Sequence, residues 1–143
     1  MNKVVGIAAL VIGLLLQPTA HADEEDAEVC LRTKVWDGYS EGWAIRTMTS
    51  ATVENGATRN YLVTLYAGNE YQIQACADEN SQNVDILLYD LEGRIVARDD
   101  TQDREPILLF TPKDTATFYV VLYAQKLADP TTGTGIGLAV TYR

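Results

Sequence analysis

Carboxylates are concentrated in one short stretch of the chain, and their chemistry could be that of a hard-cation site. Residues 84–100 read VDILLYDLEGRIVARDD and carry five acids: Asp85, Asp90, Glu92, Asp99 and Asp100. Carboxylate oxygens are the ligands that calcium prefers in proteins. Acidic residues are also common at the turns and ends of hairpins. The stretch is therefore either a metal site or a hairpin with polar ends.

The hairpin interpretation predicts which acids face one another. A three-residue loop at 91–93, with Gly93 in the left-handed conformation, sets Asp85 opposite Asp99; a two-residue turn sets Asp85 opposite Asp100. A bulge between the strands would shift this pairing. Like charges directly across a ladder repel, so something must offset them. We predict either a calcium ion at Asp85, Asp99 and Asp100, or neutralisation by water and by the neighbouring Arg98 and Arg104.

Other catalytic chemistry has little support in the sequence. The single histidine, His21, lies in a segment predicted below to be removed, so Ser-His-Asp arrangements and His-ligated zinc sites are excluded from the remainder. The chain has no glycine-rich phosphate loop and no nucleophile elbow. A paired-carboxylate hydrolase stays open, but no spacing singles out an acid and a base. We predict no enzyme and no catalytic residue.

The first 22 residues have the pattern of a secretory signal. Lys3 precedes an apolar run over residues 4–16, and Ala20-His21-Ala22 is a small-x-small cleavage motif. Cleavage after Ala22 would leave residues 23–143 in the periplasm or outside the cell. We therefore predict a cleaved signal peptide over residues 1–22.

Charge limits the classes of partner. The chain has 20 acidic and 11 basic residues, a net charge of −9; loss of Lys3 leaves 10 basic residues and a net charge of −10. Nucleic acids and anionic membranes need clustered positive charge, so neither is a predicted partner. No membrane insertion is expected after signal cleavage, and composition does not fix the oligomeric state.

Two cysteines, Cys30 and Cys76, remain after that cleavage. In an oxidising compartment the simplest expectation is one disulfide between them. It would close a loop of about 46 residues, worth roughly 4 kcal/mol in the chain-entropy model. A redox or metal-binding pair is disfavoured because the sequence lacks both a CxxC spacing and a remaining histidine.

Residues 23–58 are predicted to form an N-terminal helical segment and an additional strand. The acidic run Asp23–Asp26 is typical of a helix N-terminus, and we predict a helix over 24–37 that continues less securely to 45. Its apolar stripe would contain Val29, Val35, Trp36, Tyr39 and Trp43. The two tryptophans could stack on a ligand, but we expect them in the core. Residues 46–58 could supply a strand.

Residues 59–143 have the pattern of a β-sandwich. Seven short β-rich runs are separated by turn residues such as Gly68-Asn69, which predicts an antiparallel sandwich or barrel. No repeat or low-complexity linker divides the chain. One all-β domain with an N-terminal helical segment is therefore expected over residues 23–143.

Three stretches in order resemble the bacterial pre-peptidase C-terminal domain. They are YLVTLYAGNEYQI, VDILLYDLEGRIVARDD and ILLFTPKDTATFYVVL, within residues 59–124. The resemblance implies a jelly-roll-like antiparallel β-sandwich of secreted proteins, often appended to peptidases, with calcium bound in some related collagen-binding domains. No peptidase domain accompanies it here, and the family's doubled Asp motif is reduced to Val84-Asp85.

The expected function is binding without catalysis. The ligand class is an extracytoplasmic protein or an envelope glycan, because aromatic side chains can serve either surface. A structural role in the envelope without a specific ligand is the alternative, and a carboxylate-based hydrolase is a third.

Overall fold

The computed structural model describes residues 23–143, so the predicted signal peptide lies outside the described residues. The first element of the described part is helix α1, Glu24–Ser40, capped by the Asp23 carboxylate, which accepts hydrogen bonds from the backbone N–H groups of Glu25 and Asp26. Gly42, at a φ of 90°, follows the helix C-terminus. The predicted helix is present and ends three residues beyond residue 37. No helix in the described part of the chain is long and apolar enough to span a membrane.

Eight antiparallel strands follow the helix and form two four-stranded sheets. The strands are β1 Ala44–Val53, β2 Thr58–Leu65, β3 Tyr71–Ala77, β4 Ser81–Tyr89, β5 Ile95–Asp99, β6 Ile107–Phe110, β7 Ala116–Leu127 and β8 Thr134–Tyr142. The strand orders are β1-β8-β3-β6 and β2-β7-β4-β5. This is the order of an eight-stranded jelly roll. The predicted all-β sandwich is confirmed, and the segment 46–58 does contribute the strand β1.

The core lies between the sheets and follows the period-2 alternation of their strands. On β7, Phe118, Val120, Leu122 and Ala124 are buried and alternate with more exposed residues. Strand β8 differs because all but its last residue are buried, so both of its faces are covered. The second sheet covers one face, and α1 covers the other.

Helix α1 lies on the outer face of the first sheet and contacts β8, β1 and β3. Its buried residues are Ala27, Leu31 and Val35, spaced four apart. The predicted stripe was therefore wrong in part: Trp36 is 75% exposed, and Val29 and Tyr39 are also exposed. The helix therefore covers a face of the sandwich and not an open end or edge.

The side chains of α1 can approach the sheet closely because β8 carries glycines at the contact. A Cβ atom at Gly137 would overlap the side chain of Leu31, and a Cβ atom at Gly135 would overlap the backbone of Asp23. The Cys30–Cys76 disulfide joins the same helix to β3, as predicted. The fold therefore fastens its N-terminal helix by packing and by a covalent bond.

Candidate functional site

The acidic stretch 84–100 forms the β4–β5 hairpin, with the loop that its turn residues predict. The backbone N–H of Gly93 donates to the carbonyl of Asp90, and the N–H of Asp90 donates to the carbonyl of Arg94. Gly93 has a φ of 80°, the left-handed conformation that glycine adopts without strain. The three-residue loop at 91–93 is therefore present.

Asp90 organises this loop. Its carboxylate accepts hydrogen bonds from the backbone N–H groups of Glu92 and Arg94 and from the Arg94 guanidinium, 2.7 Å from Asp90 Oδ2. The hydrogen bond from the Arg94 backbone is the main cause that lowers the pKa of Asp90. Both oxygens serve the turn, so this end of the hairpin has a structural explanation.

A bulge at Val96 changes the pairing along the hairpin. Tyr89 pairs with Ile95, but Leu88 pairs with Ala97 and Ile86 with Asp99. Continuing this register places Asp85 opposite Asp100. The loop therefore follows the first predicted register, and the far end of the hairpin follows the second.

Asp85 is the most unusual acid of the hairpin, because its side chain is 4% exposed on the outer face of the second sheet. Gln125 Nε2, on β7, donates to Asp85 Oδ2, whereas Asp85 Oδ1 has no hydrogen-bond partner. Burial raises the pKa of Asp85, the bond from Gln125 opposes that rise, and Asp100 and Asp99 add to it. The predicted acid repulsion therefore acts on a buried carboxylate.

Asp99 and Asp100 have partners of their own. Asp99 Oδ1 accepts from the backbone and hydroxyl of Thr101, and Asp99 Oδ2 accepts from the N–H of Ile107. Burial opposes these bonds, yet together they lower the pKa of Asp99. Arg98 Nε lies 3.5 Å from Asp100 Oδ2, which is one of the neutralising contacts predicted from the sequence.

The donor set fits a calcium ion in part. Asp85 Oδ1 and Asn83 Oδ1 are buried acceptors without a partner, next to a polar cleft lined by Asn83, Gln125 and Lys126. Hard oxygens of this kind suit calcium. Among residues 23–143, one group of three potential metal ligands of the Cys, His, Asp and Glu types has its ligand atoms within 4.8 Å of one another: Cys30, Cys76 and Glu105. The two cysteine sulfurs of this group are bonded to each other in the disulfide. Calcium at Asp85, Asp99 and Asp100 stays a prediction.

A second candidate site lies at one end of the sandwich, where aromatic residues gather. We call it the tyrosine concavity; it has a volume of about 360 Å³ and is lined by Ile45, Arg46, Tyr66, Asn69, Tyr71 and Tyr142. The hydroxyl of the buried Tyr71 accepts from the Tyr66 backbone N–H at 2.8 Å and from Asn69 Nδ2 at 3.3 Å. Its ring packs against that of Tyr142 at 6.2 Å. The floor of the concavity is therefore fixed, while Tyr66 and Ile45 are exposed at its rim.

A bulge in β1 places a positively charged side chain, that of Arg46, at the concavity. The register with β8 shifts between Ile45 and Thr47, which leaves Arg46 as the extra residue, and its side chain is exposed. Beside it, Glu70 and Arg143 exchange two backbone hydrogen bonds and an ion pair of 2.9 Å, and the Arg143 guanidinium lies 4.4 Å from the centre of the Trp43 ring. Rigid aromatic residues and arginine are the types enriched at binding hot spots.

Comparison with known proteins gives a fold and no sequence family. No protein-family model and no curated protein matches the chain. Among solved structures it is similar to the Bacillus anthracis collagenase pre-peptidase C-terminal domain, with a TM-score of 0.52 and 15% identity over 67% of this chain and 89% of that one. The fold is pre-peptidase C-terminal-like. The Aeromonas hydrophila protein PliG, a periplasmic inhibitor of g-type lysozyme, is similar too, with a TM-score of 0.52 and 15% identity over 70% of this chain and 88% of that one.

The resemblance read from the sequence is therefore confirmed as a likeness of fold, but the tyrosine concavity of this pre-peptidase C-terminal-like domain was missed. Its lining comes from the start of β1, from the β2–β3 turn with the first residue of β3, and from the end of β8, three places far apart in the sequence. The signal that could have found part of it is the tyrosine pair flanking Gly68-Asn69. Asn83, within β4, was also missed, because a single amide in a strand has no distinctive pattern.

Proposed function

We propose that residues 23–143 are a secreted or periplasmic, non-catalytic binding module whose partner is an extracytoplasmic protein. The observation that carries this proposal is the tyrosine concavity. Tyr71 and Tyr142 form a rigid aromatic floor, and Tyr66, Ile45 and Arg46 offer exposed side chains around it. Such side chains bury large areas at low conformational cost and supply hydrogen-bond donors, which is the composition of protein-binding hot spots.

Charge identifies the kind of protein that would dock. Residues 23–143 carry 10 basic and 20 acidic residues, a net charge of −10, so their long-range field attracts a basic partner. The fold neighbour from Aeromonas hydrophila bears the name of a lysozyme inhibitor, which makes lysozymes the first partners to test. The non-catalytic part of the proposal also agrees with the lack of histidine in residues 23–143.

The test combines binding and inhibition. The oxidised protein is titrated against g-type and chicken-type lysozymes in a cell-wall lysis assay, and the same pairs are measured by biolayer interferometry. We expect binding to one lysozyme, with Tyr66→Ala and Arg46→Ala each weakening it about tenfold or more, as hot-spot residues do. Leu62→Ala is the matched control, since Leu62 is an apolar residue on β2 that is 63% exposed, against 48% for Tyr66, and lies outside the concavity lining.

Two outcomes would change the proposal. Binding that survives Tyr66→Ala and Arg46→Ala would move the interface elsewhere on the domain. No binding to lysozymes, together with no partner cross-linked in native periplasm, would overturn the protein-binding function and favour a structural role in the envelope.

An envelope glycan is the second candidate, because one aromatic pair has no packing role. Trp36 and Tyr39 on α1 stack with ring centroids 6.3 Å apart, and their side chains are 75% and 68% exposed. Flat exposed rings suit the apolar faces of sugars. Sedimentation with purified peptidoglycan tests this candidate: wild type should co-sediment and Trp36→Ala should not. Equal sedimentation of both would remove the pair from consideration.

A further inference from the structure

Asp78 is a buried carboxylate of the first sheet that the proposed binding function does not use. It follows β3 directly, and its side chain is 4% exposed. Oδ1 accepts from the backbone N–H of Asn80 at 2.9 Å and from the Thr134 hydroxyl at 2.5 Å. Oδ2 accepts from the backbone N–H of Gly135 at 2.7 Å and from the backbone nitrogen of Asp23 at 2.8 Å. Four donors therefore surround this carboxylate.

None of these donors is a cationic side chain. The ion pairs of residues 23–143 involve other acids, so no Lys or Arg nitrogen of the described chain lies within 4.0 Å of Asp78. A buried carboxylate without a countercharge is costly, because its desolvation is only partly offset by neutral hydrogen bonds. Asp78 thus has no positively charged side chain as a partner among the described residues.

The partner that can supply this charge is the backbone nitrogen of Asp23. Asp23 is the residue that follows the predicted cleavage motif Ala20-His21-Ala22. Hydrolysis of the Ala22–Asp23 peptide bond adds water, leaves a carboxylate on Ala22 and frees an α-amino group on Asp23. That group is protonated at neutral pH, since α-amino groups ordinarily titrate near pH 7.7–8.0. The nitrogen keeps its place and gains a positive charge.

We propose that removal of the signal peptide creates an ion pair between the Asp23 α-ammonium and the Asp78 carboxylate, an additional contact between helix α1 and the sandwich that forms only in the mature protein. The peptide N–H already makes a hydrogen bond to a charged acceptor; an ammonium in its place adds the attraction between opposite charges, so the mature contact stabilises more than the one it replaces. This inference rests on the export part of the proposed function and not on its partner.

Two features hold the nitrogen in position. The Asp23 carbonyl packs against Gly135, where a Cβ atom would overlap it, and the Asp23 side chain caps α1.

A positive charge at a helix N-terminus is unfavourable, but Glu24, Glu25 and Asp26 in the first turn offset it. The nearby acids Glu79 and Asp129 line the same cleft and add negative potential.

The test compares two defined N-termini of the oxidised protein. Fusions cleaved in vitro yield one form that begins at Asp23 and one that begins at Ala22, which has the same net charge but an amine displaced by one residue, about 3.8 Å along the chain. In low salt, the Asp23 form should melt roughly 4 °C or more above the Ala22 form. Equal melting temperatures would overturn the ion pair.

Side-chain variants identify the acid. Asp78→Asn should abolish the difference between the two forms, whereas Glu79→Gln, which removes a neighbouring exposed acid that adds to the potential but does not bond the Asp23 nitrogen, should leave most of the difference in place. If Asp78→Asn does not fold, acetylation of the Asp23 amine provides the second measurement: it should lower the melting temperature to that of the Ala22 form. A difference that persists after acetylation would overturn the proposal.

Export is tested separately. N-terminal sequencing of the protein recovered from native periplasm should read Asp-Glu-Glu-Asp-Ala. A different first residue would overturn the maturation step while leaving the melting comparison, and the partner experiments, to be judged independently.

Discussion

At the scale of single residues, Asp85 carries the clearest electrostatic consequence. Burial raises its pKa, opposed by the Gln125 hydrogen bond, and Asp100 and Asp99 add to the rise. The folded state therefore holds a proton on Asp85 more tightly than the unfolded state does. It follows that charging Asp85 costs stability, and that this cost develops as the pH rises from the ordinary value of about 3.9 through the folded pKa.

We predict that Asp85→Asn stabilises the domain at neutral pH. The amide carries no charge and its oxygen can still accept from Gln125, so the free energy of unfolding at pH 7 should rise by on the order of 1 kcal/mol. At pH 3, where both states of the wild type are protonated, the two proteins should be equal. Urea unfolding at both pH values measures this, with the exposed Asp114→Asn as control. A variant less stable than wild type at pH 7 would contradict it.

If calcium binds at the same residues, Asp85→Asn should lower the stability of the calcium-bound protein instead of raising it. If Asp85, Asp99 and Asp100 bind the ion, calcium at about 100 times its dissociation constant should add roughly 2.7 kcal/mol to the stability of chelator-treated wild type. Asp85→Asn should lose this gain, and magnesium should not replace calcium because it requires shorter, octahedral coordination. Identical melting curves for wild type in calcium and in chelator would remove the calcium site.

At the scale of elements, the helix–sheet contact depends on small residues in β8. A methyl group at Gly137 would overlap Leu31, which is fully buried between α1 and the sheet. We predict that Gly137→Ala destabilises the domain by about 1–3 kcal/mol, the usual cost of overpacking. The matched control is Gly38→Ala within α1, where the added methyl meets Trp43 at an ordinary 3.5 Å and should stabilise by about 0.5–1 kcal/mol. Thermal unfolding of the oxidised proteins measures both; equal effects would contradict the close contact.

The same elements show what a sequence can and cannot predict. The strands were predictable because buried and exposed residues alternate along runs such as β7, and the acids before residue 27 marked the start of α1. The position of α1 on the sheet was not predictable. In the sequence Gly135 and Gly137 only indicate a weak strand, and their contact with the helix exists only in the folded sheet. The register beyond Val96 was not fixed either, since a bulge depends on tertiary packing and not on the turn.

One candidate site was predictable from the sequence and the other was not. Asp85 and Asp100 could be brought together from the hairpin alone, because the pairing is local. The tyrosine concavity could not, because Arg46, Tyr66 and Tyr142 meet only when the jelly roll joins β1 to β8 and places the β2–β3 turn beside them. A site assembled by such long-range connections leaves only a partial signal in one sequence, here the tyrosines on either side of Gly68-Asn69.

At the scale of the whole molecule, net charge and the concavity should act on different steps of binding. The field of residues 23–143, with a net charge of −10, accelerates encounter with a basic protein, whereas buried aromatic contacts hold the complex together. For the lysozyme that binds, we predict that raising salt from about 50 to 500 mM lowers the association rate constant severalfold and changes the dissociation rate constant little. Tyr66→Ala should do the reverse, because it removes contact area at the concavity without altering charge. Stopped-flow association and surface-based dissociation separate the two constants, and a Tyr66→Ala effect confined to association would place that residue outside the final interface.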